Sequence, residues 1–136
     1  PGYLLGSLFA VLEVTQREST KKNKKNANDE NSDEKKYNRE LNAGIKDKFI
    51  SSASSSPVTV FPYLLRLSQH HLKKIRRQSP DWAYTLEYTI GDLASRISTY
   101  PTVLPPLQQG LFFTGYYQRQ RTPIRAPKNT PATPAA

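Results

Sequence analysis

Two Ser-Pro pairs, Ser56-Pro57 and Ser79-Pro80, punctuate the middle of this chain, and each reads as a helix start. A serine at the N-cap can accept an orphan N–H of the first turn. A proline just after it gives up a donor that would have no helical partner anyway. Between the two pairs, residues 57–78 put Phe61, Leu64, Leu65, Ser68, Leu72 and Ile75 on one side at the roughly 100° step of an α-helix. No segment of the chain alternates convincingly with the period of a strand. These features commit the sequence to an all-α fold.

Four more helices follow from the same periodicity. Residues 3–18 carry Leu4, Leu5, Leu8, Phe9, Val11 and Leu12, with polar residues from Glu13 onward, and the pattern is wide enough to predict burial on more than one side. Residues 38–52 place Leu41, Ile45 and Phe49 together, and a serine-rich break is expected over 51–56. Residues 80–98 carry the stripe Trp82, Leu86, Ile90, Leu93 and Ile97, closed by a stiff turn at Tyr100-Pro101 and Pro105-Pro106. The last helix, 106–120, carries Leu107, Leu111 and Phe112, then Tyr116 and Tyr117. Its Gly110 and Gly115 each cost about 1 kcal/mol relative to alanine and are expected to let a neighbouring helix come close. The expected architecture is a compact bundle of about five helices over residues 1–121.

Two segments stand outside that core. Residues 20–36, TKKNKKNANDENSDEKK, have no apolar period and cannot bury enough surface to offset their ordering entropy, so they read as a mobile loop. Their six lysines and four acids nearly cancel, which suits a solvated linker better than a phosphate clamp. Residues 122–136 read as a disordered, proline-rich tail.

Absence of cysteine excludes disulfides and thiolate metal sites and fits a reducing compartment. There is no methionine either, as expected if an initiator was removed ahead of Pro1 or the chain was cut from a longer one. The apolar run Tyr3–Val14 is shorter than the roughly 20 residues a membrane span needs, and no basic segment precedes it to make a signal peptide. A cytoplasmic protein with no membrane partner is expected.

The formal net charge is +9, and its distribution matters more than its size. On the helix 57–78, Arg66, His70, Lys73, Lys74 and Arg77 fall opposite the apolar side, and no acid lies in the segment. A solvated face normally mixes signs, because like charges four residues apart repel; Arg66/His70, His70/Lys74 and Lys73/Arg77 all have that spacing, and with histidine neutral at pH 7 Lys73/Arg77 remains like-charged. Cations near a helix C-terminus also complement its dipole, which would account for Lys74, Arg76 and Arg77 but poorly for Arg66. A row of cations facing phosphates accounts for all of them, because neutralising phosphates releases counterions. A second cluster, Arg119, Arg121, Arg125 and Lys128, lies near Tyr116 and Tyr117, where arginine and aromatic side chains could grip phosphates and stack bases. The alternative is that the tyrosines are core. Lys46 and Lys48 complete the candidate nucleic-acid contacts.

Nothing comparable points to catalysis. His70 and His71 are adjacent, so on a helix they diverge and cannot readily share a metal; His71 sits at the apolar boundary and reads as a packed structural histidine. Asp81, Glu87 and Asp92 are scattered, Asp81 serving the first turn of its helix. SASSSP has no nucleophile context, and no glycine-rich phosphate loop follows a strand. No enzyme activity, metal or cofactor is expected.

Three blocks, GYLLGSLFAVLE at 2–13, SASSSPVTVFPYLLRLSQHHLKKI at 52–75 and QQGLFFTGYYQRQ at 108–120, resemble the C-terminal region of the large subunit of the type I-C CRISPR Cascade, which that family also makes alone, by internal translation, as its small subunit. Ser7 stands where the family pattern would have a basic residue, and the 20–36 loop is expanded relative to it. The resemblance implies a non-catalytic helical bundle whose partners are the guide-RNA-bearing backbone subunits, the large subunit and further copies of itself. It implies binding of target DNA, chiefly the displaced non-target strand, to hold the R-loop open, with cleavage left to a separate helicase-nuclease. A start at Pro1 would suit an internally initiated product and equally a piece cut from the larger subunit. Two other readings remain: an assembly module whose basic face docks onto acidic surfaces of neighbouring subunits, and a free RNA-binding helical protein.

Overall fold

The computed structural model describes residues 1–21 and 44–125. Among them it holds five helices: α1 (Gly2–Lys21), α2 (Gly44–Ser55), α3 (Pro57–Gln78), α4 (Pro80–Ser95) and α5 (Pro106–Arg121). The all-α bundle is as the periodicity predicts. Most of the expected 20–36 loop, the start of the expected 38–52 helix and the tail beyond Arg125 lie outside the described residues.

α1 is the axis of the bundle and packs against all four other helices. That is the expected outcome for a helix apolar on several sides. Leu5, Leu8, Phe9, Ala10, Val11 and Leu12 are all at most 1% exposed. Phe9 is the hub of an aromatic cluster, its ring centre 6.4 Å from Phe61, 5.9 Å from Phe112 and 5.7 Å from Tyr116. The helix continues three residues past the expected end at 18, through Thr20 and Lys21, because its polar half is also covered. Thr15, Gln16 and Ser19 are buried, and the hydroxyls of Thr15, Ser19 and Thr20 donate back to the carbonyls of Val11, Gln16 and Arg17. Trp82 of α4 donates its indole N–H to Glu18 at 3.1 Å.

α1 and α5 run side by side in the same direction and touch through glycines. A Cβ on Gly2 would meet the carbonyl of Gln108, one on Gly6 the carbonyl of Phe112, and one on Gly115 the carbonyl of Tyr3. The close approach expected at Gly115 is present. At Gly110 it is not, since no atom lies within 4 Å of where its Cβ would be. The same approach decides which face of α5 is buried: Phe112, Gly115 and Tyr116 turn inward, while Leu107 and Leu111, grouped with Phe112 in the sequence, are 77% and 39% exposed.

The serine-rich break expected over 51–56 narrows to Ser56 alone. Residues 51–55 stay helical, with Ala53 packed in the core and the hydroxyls of Ser54 and Ser55 turned back to the carbonyl of Ser51 at 3.0 and 2.9 Å. α3 spans the expected 57–78, and α4 starts where expected but ends at Ser95 rather than 98. Ser56 and Ser79 occupy the N-cap positions, yet neither hydroxyl caps the backbone. That of Ser56 instead donates to the carbonyl of Thr102 at 2.8 Å and pairs with the Thr59 hydroxyl. The reason is tertiary: the 96–105 connection is fastened across the α2–α3 junction. Val58 N–H donates to Pro101 and Leu104 N–H to Ser55, at 3.0 and 2.9 Å, and the Tyr100 ring stacks on Phe61. Beyond α5, Ile124 packs against the core, so the expected tail is anchored at its start.

Candidate nucleic-acid interface

α3 owes its amphipathic character to tertiary packing on one side only. Val60, Phe61, Leu64, Ser68, Leu72 and Ile75 are buried, and Leu65 is half-buried. The opposite side carries Arg66, His70, Lys73, Lys74 and Arg77, all exposed. The helix contains no acid. Arg66, Lys73, Lys74 and Arg77 form no ion pair with any described residue. Arg76, one step round the helix from this row, instead pairs with Glu87 of α4 at 3.2 Å, and Arg96 pairs with Asp92. The fold therefore draws one α3 cation into the α3–α4 seam and leaves the row open to solvent. Each like-charged pair at four-residue spacing costs a few tenths of a kcal/mol in the isolated protein.

His71 turns away from the row toward α1, where its Nδ1 lies 3.1 Å from the Ser19 hydroxyl. Its Nε2 is buried with no hydrogen-bond partner among the described residues. Burial, aided by the positive charge of Lys74 and of His70, pulls its pKa from 6.5 down to about 4. The ring is thus a neutral packing element, as its place at the apolar boundary predicts. An unfolded chain takes up a proton near pH 6.5, while the folded one resists until about pH 4. Stability from this site is therefore complete above pH 6.5 and is lost as the pH falls toward 4. The expected loss is on the order of 2 kcal/mol, partial exposure of the ring having trimmed the full linkage value. Urea unfolding of wild type and His71→Leu at neutral pH and near pH 4 should show a larger acid loss in wild type.

At the second cluster the two tyrosines part company. Tyr116 is fully buried, and its hydroxyl donates to Glu13 at 2.6 Å, with the Gln120 amide donating to both. Burial foremost, and then the bond to Glu13, push its phenol well above the ordinary tyrosine range. Tyr116 is therefore core, the alternative left open by the sequence. Tyr117 is exposed and lies edge-on to Tyr116 at 4.9 Å. The Lys46 ammonium, supplied by α2, sits 5.6 Å from both ring centres, a cation–π arrangement that the sequence could not foretell because it joins residues far apart in the chain. Arg119 is half-buried, Arg121, Arg125 and Lys48 are exposed, and Lys128 lies outside the described residues. The structure thus brings Lys46 to Tyr117 and leaves Arg121 one turn further along the same face of α5.

Together the two surfaces present exposed cations and, at Tyr117, an exposed ring. No helix among the described residues is long and apolar enough to cross a membrane. None of the curated proteins compared with the chain matches it. Residues 1–123 match the family model described as CRISPR-associated protein (Cas_Csd1), a span covering every described helix, and the chain belongs to that family.

Proposed function

We propose that this chain is the non-catalytic small subunit of a type I-C CRISPR Cascade, in which the α3 row binds DNA without sequence preference and stabilises the R-loop and its displaced strand. Membership of the CRISPR-associated family supplies the setting. The observation that carries the mechanism is the exposed, acid-free row Arg66, His70, Lys73, Lys74 and Arg77 on a rigid helix. R-loop formation exchanges one duplex for another of similar stability, so modest backbone affinity is enough to tip it. Phosphate contacts from a helix face provide such affinity and read no bases. Lys46, Lys48, Arg119 and Arg121 form the secondary surface.

The partners on this reading are the backbone subunits, the large subunit, further copies of the chain and the non-target strand, in the cytoplasm. The test is the joint variant Arg66→Ala, Lys73→Ala, Lys74→Ala and Arg77→Ala, assembled with the chain's native neighbours. Normal assembly with poor retention of target DNA is expected. A complex that fails to co-purify would instead make the row a docking surface for acidic protein patches. Binding of RNA by the free chain at physiological salt would favour a function outside Cascade.

A further inference from the structure

The cation row has an aromatic head. Tyr63 lies three residues before Arg66 and seven before His70, so it continues the same stripe of α3, and the stripe from Tyr63 to Arg77 runs about 21 Å at the helical rise. Phe61 and Leu64 on either side of it are buried, but Tyr63 is 45% exposed. Its ring centre is 5.7 Å from that of Phe49 on α2, tilted by 48°. Phe49 is itself half-buried against the core, so it backs the tyrosine from the protein side. The Tyr63 hydroxyl has no hydrogen-bond partner among the described residues. Among the described residues the other exposed tyrosines are placed differently: Tyr3 donates to Gln118, Tyr84 and Tyr88 lie against each other on α4, and Tyr117 sits under Lys46.

We propose that Tyr63 is a base-stacking platform at the head of the row, giving this face a preference for single-stranded over duplex nucleic acid; this rests on the row contacting phosphates. Cations alone attract duplex and single strand alike, because both present phosphates. A supported ring beside them adds a contact that only an unpaired base can make, since bases in a duplex are already stacked on each other. The contact is tolerant of sequence because every base has a π-face.

The experiment compares three fluorescent probes on the full-length chain at low salt: a mixed-sequence single-stranded oligodeoxynucleotide, an abasic strand of equal length, and a duplex. Wild type is expected to bind the base-bearing strand roughly five- to a hundredfold more tightly than the abasic one. Tyr63→Leu keeps an apolar cover on Phe49 but has no ring face. It should erase that preference while leaving affinity for the abasic strand and its salt dependence unchanged, and Tyr63→Trp should restore it. Equal binding of base-bearing and abasic strands by wild type would overturn the platform, as would a preference surviving in Tyr63→Leu. The row would stand in both cases if abasic binding still depended on Arg66, Lys73, Lys74 and Arg77. Failure of all three probes to bind, alone and in the assembled complex, would overturn the row and the platform together. Loss of co-purification in Tyr63→Leu with DNA binding intact would make Tyr63 a protein contact and also overturn the proposal.

Discussion

Gly6→Ala is expected to lower the unfolding free energy by about 3 kcal/mol, whereas Gly110→Ala should raise it by up to about 1 kcal/mol. The two substitutions add the same methyl group to a helix, and alanine is the better helix former at both positions. The environments decide the sign. A Cβ at Gly6 overlaps the carbonyl group of Phe112 and crowds the backbone nitrogen of Tyr116, so it meets main chain rather than the yielding end of a side chain. The only relief is for α1 and α5 to part, and that opens the Phe9, Phe112 and Tyr116 contacts lying directly beneath. At Gly110 the new methyl meets nothing within 4 Å, leaving only the entropic gain. Urea denaturation followed by helical circular dichroism, with all variants on one denaturant scale, checks both. A neutral Gly6→Ala would mean that the helices are not held at this distance.

The joint removal of Arg66, Lys73, Lys74 and Arg77 carries the second large effect, on binding rather than stability. Each phosphate neutralised on a single strand contributes about 0.7 to the slope of log affinity against log salt, so losing four contacts should reduce that slope by about 3. Between about 50 and about 200 mM salt, wild type would then lose roughly fiftyfold more affinity than the variant. The same substitutions remove the like-charged Lys73/Arg77 spacing and, being exposed, empty no part of the core. Stability should hold or rise by a few tenths of a kcal/mol. Weaker, flatter binding from a protein at least as stable is an outcome that misfolding cannot imitate. An unchanged salt slope would remove the row from the DNA contact.

The contrast between α3 and α5 shows how far the sequence alone could be read. α3 was legible to the residue because prolines mark its start and that of its successor, and because its apolar and basic sides are cleanly opposed. In α5 the apolar and aromatic residues Leu107, Leu111, Phe112, Phe113, Tyr116 and Tyr117 surround the helix too evenly to reveal which side is buried. The choice is made by fit between Gly115 and the start of α1, a contact across the whole length of the chain. Its sequence traces are Gly115 itself, read as a point of close approach, and the four-residue spacing of Gly2 and Gly6. The serine caps failed for a related reason: their positions are local, but the hydroxyl of Ser56 answers to a distant carbonyl. In the candidate site, the row on α3 could be read because it lies on one helix. The meeting of Lys46 with Tyr117 could not, and Tyr63 could have been found by extending the basic stripe by one turn.

The side-by-side seating of the first and last helices also sets a timetable. Gly2 donates its N–H to Gln108, so the central helix of the bundle has no complete housing until the last helix exists. At about 5–20 residues per second, roughly 5–20 s of synthesis separate the two. Throughout that interval the side of α1 that α5 covers has no partner, even once α2, α3 and α4 are made. Pairing of distant residues also raises the contact order above that of an up-and-down bundle, which slows closure once synthesis ends. A chain stalled before Pro106 would leave the α5-facing side of α1, Phe9 included, without the rings of Phe112 and Tyr116 that cover it.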